Sequence, residues 1–219
     1  MLNALLITGT ESGVGKTVLA SSLIAYWQRH LNASHLGVMK PIARDSADPE
    51  HYHRLLNQSI ESINPTQLEA TLATPSDLEK IWRQLEILSG DREFVLVEGL
   101  EGLGSPITLE TTVADLAWDW RIPAVLVVPV QPGAVPHAVA NVALANQARL
   151  HLKGIILNCV TPCHAQELED WASVDLIESL TQKPVLGCIP YLTDPTDQSK
   201  LAQIASNLEL ERLIPSLSI

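Results

Sequence analysis

Positive charge is scarce in this chain of 219 residues: 14 Lys and Arg stand against 25 Asp and Glu, for a formal net charge of −11. No Lys/Arg cluster offsets that balance. A partner that is anionic over a wide surface, such as a nucleic acid or an acidic membrane, is therefore not expected. A phosphate held in a local pocket remains open. Cysteine is scarce too. Cys159, Cys163 and Cys188 do not make a disulfide framework, and a soluble protein of a reducing, cytoplasmic compartment is expected. Long apolar runs are missing, and none approaches the ~20 residues of a spanning helix. The opening MLNALLITG carries no basic n-region and runs straight into a turn, so no signal peptide is expected. Repeats, low-complexity tracts and linkers are absent as well. The chain is 46% hydrophobic, which at this length suffices for one well-buried core, and one domain over residues 1–219 is expected.

Five apolar runs read as fully buried strands: residues 4–8, 36–40, 94–97, 124–128 and 154–157, with 185–189 as a sixth. Uninterrupted apolar strands suit a parallel sheet covered on both faces. Helix-like segments lie among them, at 17–29, 78–88, 113–120, 135–148, 167–180 and 197–207. This alternation predicts a doubly wound α/β fold, a mostly parallel sheet with helices on both sides. Residues 45–75 are the least regular, with a short helix expected at 50–56.

The turn after the first strand reads GTESGVGKT, residues 9–17. Gly9, Gly13 and Gly15 let backbone amides face inward, and with the start of the following helix they make an anion nest. Lys16 can reach outer phosphates and the Thr17 hydroxyl can coordinate Mg²⁺. This is the logic of a P-loop. The strict pattern asks for glycine at position 10, where Thr10 stands, with Gly9 one residue early.

ParA/MinD-like ATPases carry a signature lysine five residues before the P-loop lysine. Glu11 holds that place, and a carboxylate cannot neutralise phosphate charge. The loop instead resembles the G-T-[DN]-T-x-V-G-K-T loop of the dethiobiotin synthetase family. Further motifs follow in order: GVMKPIA at 37–43, VLVEG at 95–99, LVVPVQPGAVPHAV before a helix, GIILNCVTP at 154–162 and PVLGCIPYL at 184–192. The resemblance runs from residue 4 to about 192.

That resemblance implies a P-loop NTPase-type fold and an ATP- and Mg²⁺-dependent ligase of biotin synthesis. Its small-molecule substrate would be 7,8-diaminopelargonate, which takes up CO₂ as a carbamate. Phosphorylation of the carbamate lets the second amine close a cyclic urea. Thr10, Glu11, Ser12, Gly13, Val14, Gly15, Lys16, Thr17 and Val18 would cradle the nucleotide phosphates. Asn158 and the backbone of Pro190, Tyr191 and Leu192 would hold the base. Lys16 and Lys40 would meet the carbamate and the transferred phosphoryl group. Thr17 and Glu98 would hold the metal, with a second acid from Asp45, Asp48 or Glu50; length-matching favours Glu50 weakly. Gly99, and Gly133, Ala134 and Val135 at a helix start, would receive substrate, the last three across a homodimer interface.

The departures gather on the substrate side. No P-x-x-P-H stretch stands between strands two and three. Leu100 and Glu101 follow VLVEG where the family has small residues, Arg44 follows KPIA, and Pro136, which has no amide proton, replaces an Asn. A P-loop paralogue acting on another carboxylate or amine, or a non-catalytic nucleotide-binding protein, is the alternative. Cys159, Cys163 and His164 have metal-like types but no matching second pair. His51 and His53 are expected to be solvated.

Overall fold

The computed structural model describes residues 2–32, 35–43, 47–65 and 72–214. In chain order the elements are β1 (Ala4–Gly9), α1 (Lys16–His30), β2 (Leu36–Met39), α2 (Ala47–Leu56), α3 (Ile60–Ile63), α4 (Pro75–Asp91), β3 (Phe94–Glu98), α5 (Val113–Asp119), β4 (Ala124–Pro129), α6 (Ala134–Gln147), β5 (Leu152–Asn158), α7 (Ala165–Ala172), α8 (Val174–Thr181), β6 (Val185–Ile189), α9 (Gln198–Ser206) and α10 (Leu210–Leu213).

The six strands form one sheet in the order β2-β3-β1-β4-β5-β6, and every pairing is parallel. Strand pleating sends alternate side chains to opposite faces. Leu5 and Ile7 of β1 pack with Leu19, Leu23, Ile24 and Trp27 of α1. Ala4 and Leu6 face the other layer, with Ile81 and Leu85 of α4, Ala114 of α5 and Ala138 of α6. Both faces are thus covered, which is why the strands read as continuous apolar runs. The chain leaves β1 for the sheet edge at β2, returns through β3, and crosses to β4. That reversal opens a crevice at the carboxyl ends of β1, β2 and β3, where ligands of open α/β sheets bind.

The segment expected as one helix over 167–180 is two, because Ser173 leaves helical backbone (φ −50, ψ 120) between α7 and α8. The four-residue α3 and α10 are too short to show a period. The edge strand β2 is braced by a side chain. Gln58 accepts from the Val38 amide at 3.0 Å and donates to the Val38 carbonyl at 2.7 Å, standing in for a neighbouring strand.

Candidate functional site

The loop between β1 and α1 is held from both ends. Gly15, the N-cap of α1, has φ 98, and a Cβ there would fall 2.0 Å from Asn158 Nδ2. Only glycine meets both conditions. Asn158 at the end of β5 is buried and donates to the Val14 carbonyl at 2.7 Å. It therefore clamps the loop. Gly9 is required by contact: a Cβ there would lie 2.4 Å from Val14 Cγ2. This accounts for a glycine one residue ahead of the strict pattern. Lys16 folds back to donate to the Glu11 carbonyl at 3.0 Å, and the Glu11 carboxylate accepts from Gln131 at 3.2 Å.

Four elements bring side chains to the crevice. Lys40 follows β2. Its amide donates to the Ile63 carbonyl at 2.8 Å and its own carbonyl accepts from Asn64 at 2.7 Å, so the residues after α2 fix its backbone. The Lys40 ammonium pairs with Asp48 of α2 at 2.8 Å and with Glu98 at the end of β3. Thr17 of α1 donates to Glu98 at 3.1 Å and lies 3.5 Å from Asp48. Tyr52 of α2 donates its hydroxyl to the other oxygen of Glu98. Lys40 and Glu98 are 6% and 1% exposed, so these charges are compensated by each other rather than by water. The crevice encloses about 360 Å³ and is lined by Ser12, Gly13, Gly15, Lys16, Thr17, Val18, Lys40, Asp48, Glu98, Leu100 and Glu101.

Burial dominates the Lys16 ammonium and pulls it down to about 8, with nearby Lys40 adding to the fall against the pull of Glu98. Burial acts on Lys40 in the same direction, but Glu98 and Asp48 outweigh it and hold this lysine above the ordinary range. Burial, reinforced by Glu98, lifts the Tyr52 phenol well above its usual value. The two lysines of one crevice are therefore tuned apart.

Glu50 is exposed and its backbone carbonyl accepts from Arg54, while Asp48 lines the crevice. Of the acids named as candidate metal ligands, the one that lines the crevice is Asp48 rather than Glu50, because α2 begins at Ala47 and presents Asp48 inward. Arg44 and Asp45 lie outside the described residues. Gly99 lines a small apolar cavity with Leu6, Pro41 and Val113 rather than the crevice, and Leu100 borders both. Gly133 caps α6 at φ 93 without a side-chain cap, and the Ala134 amide donates to Gln131. Gly133, Ala134 and Val135 do not line the crevice. Residues further along α6, Ala140, Asn141 and Leu144, enclose a second space of about 560 Å³ with Thr10, Glu11, Ser12 and Glu101. Pro190 and Tyr191 are exposed at the end of β6 and Leu192 is half-buried. His51 and His53, expected to be solvated, are half-buried, and each meets a protein group. His51 Nε2 lies 2.8 Å from Ser21 Oγ, and His53 Nδ1 lies 2.8 Å from the Gln58 carbonyl. Cys159 and Cys188 face each other with sulfurs 4.0 Å apart.

Tyr52 is the site residue that sequence reading missed. Its signal is the spacing from Asp48, four residues on one helix, which puts both on one face.

A family model described as an AAA domain matches residues 3–199. The ATP-dependent dethiobiotin synthetase BioD of Gloeothece citriformis is 48% identical over 223 residues, covering 97% of this chain and 99% of that protein. The chain belongs to the dethiobiotin synthetase family. The protein of the same name from Synechocystis sp. is 40% identical, over 95% of this chain and 94% of that one. Among solved structures, a chain of the MinC:MinD cell division protein complex of Aquifex aeolicus aligns with a TM-score of 0.64 at 16% identity, covering 99% of this chain and 96% of that chain. A ParA family ATPase from Chlorobium tepidum aligns at 0.56 and 15%, over 98% and 96%. Those likenesses concern the fold alone.

Proposed function

We propose that this chain is an ATP-dependent dethiobiotin synthetase working on 7,8-diaminopelargonate and CO₂. The observation that carries the reading is the convergence of Lys16, Lys40, Thr17, Asp48 and Glu98 on one crevice beside a P-loop, in a chain that aligns end to end with synthetases of that name.

The donor set fits magnesium, since a threonine hydroxyl and two carboxylates are hard oxygen ligands. Thr17, Glu98 and Asp48 would hold it, and Mg²⁺ bound there would neutralise charge on the phosphates. Gly13 and Gly15, both in left-handed backbone, open the loop amides toward phosphate oxygens. Lys16 supports the outer phosphates once it leaves the Glu11 carbonyl. Asn158, with the backbone at Pro190–Leu192, stands at the base end.

In the reaction, one amine of the substrate adds to the carbon of CO₂, forming an N–C bond and losing a proton. A carbamate oxygen then attacks the γ-phosphorus, and ADP leaves. The second amine adds to the activated carbonyl carbon and loses a proton, phosphate leaves with the C–O bond broken, and the cyclic urea is closed. Lys40 and Lys16 supply fixed positive charge where carbamate and phosphoryl oxygens accumulate negative charge. The apolar floor under Gly99 and Leu100 keeps that end of the crevice dry. The start of α6 at Gly133–Val135 would take the substrate carboxylate in a homodimer, although Pro136 offers no amide to it. We place the enzyme in the cytoplasm.

The test is a turnover assay with ATP, Mg²⁺, bicarbonate and 7,8-diaminopelargonate, with product read by mass. Dethiobiotin formed only when all four are present supports the reading. Nucleotide binding without any dethiobiotin rejects it.

A further inference from the structure

Glu98 uses its two carboxylate oxygens differently. One faces Lys40 and Thr17 in the crevice. The other is turned away and accepts from the hydroxyl of Tyr52. Tyr52 is fully buried, so its ring fills core volume with Ile63 and Leu23 while its polar tip ends on the site. A carboxylate with one oxygen pinned cannot rotate about its bond to offer both oxygens to a ligand.

The same helix carries Asp48. Asp48 and Tyr52 stand four residues apart on α2 and face one way. Two more contacts, from other faces of the helix, hold α2 in place. His51 meets Ser21 of α1 at 2.8 Å, and His53 meets the Gln58 carbonyl next to the Gln58 brace on β2. Asp48 thus reaches Lys40 and Thr17 from a helix that is tied to the sheet through Tyr52.

We infer that Tyr52 is a positioning residue for the metal end of the crevice, fixing the Glu98 carboxylate directly and seating Asp48 through the helix they share. This rests on the reading of Glu98, Asp48 and Thr17 as magnesium ligands given above. Partners behind metal ligands commonly govern affinity by about 10- to 100-fold. The role is separate from nucleotide phosphate binding, which belongs to the loop amides and Lys16.

The test uses the full chain, a non-hydrolysable ATP analogue and Mn²⁺, whose free concentration is read by electron paramagnetic resonance. Tyr52→Phe keeps the ring and removes only the hydroxyl. The expected result is Mn²⁺ affinity at least about tenfold weaker, with metal-free binding of the analogue within twofold of the parent. Equal Mn²⁺ affinity in parent and variant overturns the role of Tyr52 alone. An equal loss of metal-dependent and metal-free binding also overturns it, because that is the mark of a merely structural residue. A parent that binds no Mn²⁺ overturns both this role and the metal site. A second measurement keeps the ring and hydroxyl at position 52. With 3-fluorotyrosine in the chain, and Tyr26→Phe and Tyr191→Phe used for assignment, the ¹⁹F resonance of Tyr52 should shift when Mg²⁺ joins the analogue and stay still with the analogue alone. No metal-dependent shift contradicts the inference.

Discussion

Lys40 and Asp48 form an ion pair at 2.8 Å at the mouth of the crevice, and the same ammonium also reaches Glu98. A cation thus stands between the two carboxylates assigned to the metal. The pair has two consequences. On the metal reading proposed above, Mg²⁺ would compete with Lys40 for these carboxylates, and a bound metal would free the Lys40 ammonium toward substrate oxygens.

Lys40→Met should therefore separate binding from chemistry. Without substrate, Mn²⁺ affinity in the presence of a nucleotide analogue should be equal to the parent or tighter, since a competing cation is gone. Dethiobiotin formation should fall by about 10²-fold or more, as expected for loss of a group aimed at developing charge. Weaker metal binding in this variant, seen by titration, would show that Lys40 supports the carboxylates rather than competing for them.

The two acids at the start of α2 should behave differently. Asp48→Asn should raise the Mg²⁺ concentration needed for half-maximal turnover by about tenfold. Glu50→Gln, at an exposed position, should leave it within twofold. Initial rates across a Mg²⁺ series decide this, and a larger effect from Glu50 would return that residue to the ligand set.

Lys16 gives a pH dependence of definite sign. Burial brings its free-protein value to about 8, below that of an ordinary lysine. Phosphate oxygens prefer the charged form. Nucleotide affinity should hold below pH 8 and weaken as pH rises through it, and binding at pH 9 should take up a proton. Calorimetry in two buffers of different ionisation heat measures that uptake. Affinity flat from pH 7 to 9.5, with no uptake, would contradict the assignment.

Gly15→Ala should disable the loop. The new Cβ would meet Asn158 Nδ2 at 2.0 Å on a backbone of φ 98. Left-handed backbone at a non-glycine residue costs about 1–3 kcal/mol before any clash is counted. Denaturant unfolding should show at least that loss, and metal-free nucleotide binding should be abolished. Near-parent stability would mean that Asn158 can swing away and is not a clamp.

How much was legible in the sequence follows from how local each signal is. The strands show because parallel strands covered on both faces must be apolar throughout, and all six lie within two residues of their expected bounds. The P-loop shows because glycine spacing and a Lys-Thr pair follow directly from phosphate geometry. Lys40 and Glu98 show because each is a charge at the end of an apolar run. Asp48 could not be separated from Glu50, because the start of α2 was hidden in an irregular stretch and two residues of error turn a helix face by more than half a turn. Tyr52 and Gln58 are hard to pick out for another reason: each matters through a partner 46 or 20 residues away, and the spacing of Tyr52 from Asp48 has meaning only once α2 is known to start at Ala47. The resemblance gives Gly99 as a substrate residue, yet its α-carbon faces Leu6 and Val113, and the following Leu100 and Glu101 line the crevice.

The proposed function requires this crevice to phosphorylate a carbamate made from CO₂. The most direct measurement supplies ¹³C,¹⁸O-labelled CO₂ in a single turnover with ATP, Mg²⁺ and 7,8-diaminopelargonate, sampled before the label exchanges with water. A carbamate oxygen that attacks the γ-phosphorus stays with phosphorus when the ring closes. The account predicts one ¹⁸O in the released phosphate and ¹³C in the urea carbonyl of dethiobiotin, in equal amounts. Unlabelled phosphate, or ATP consumed without ¹³C in any product, would contradict it.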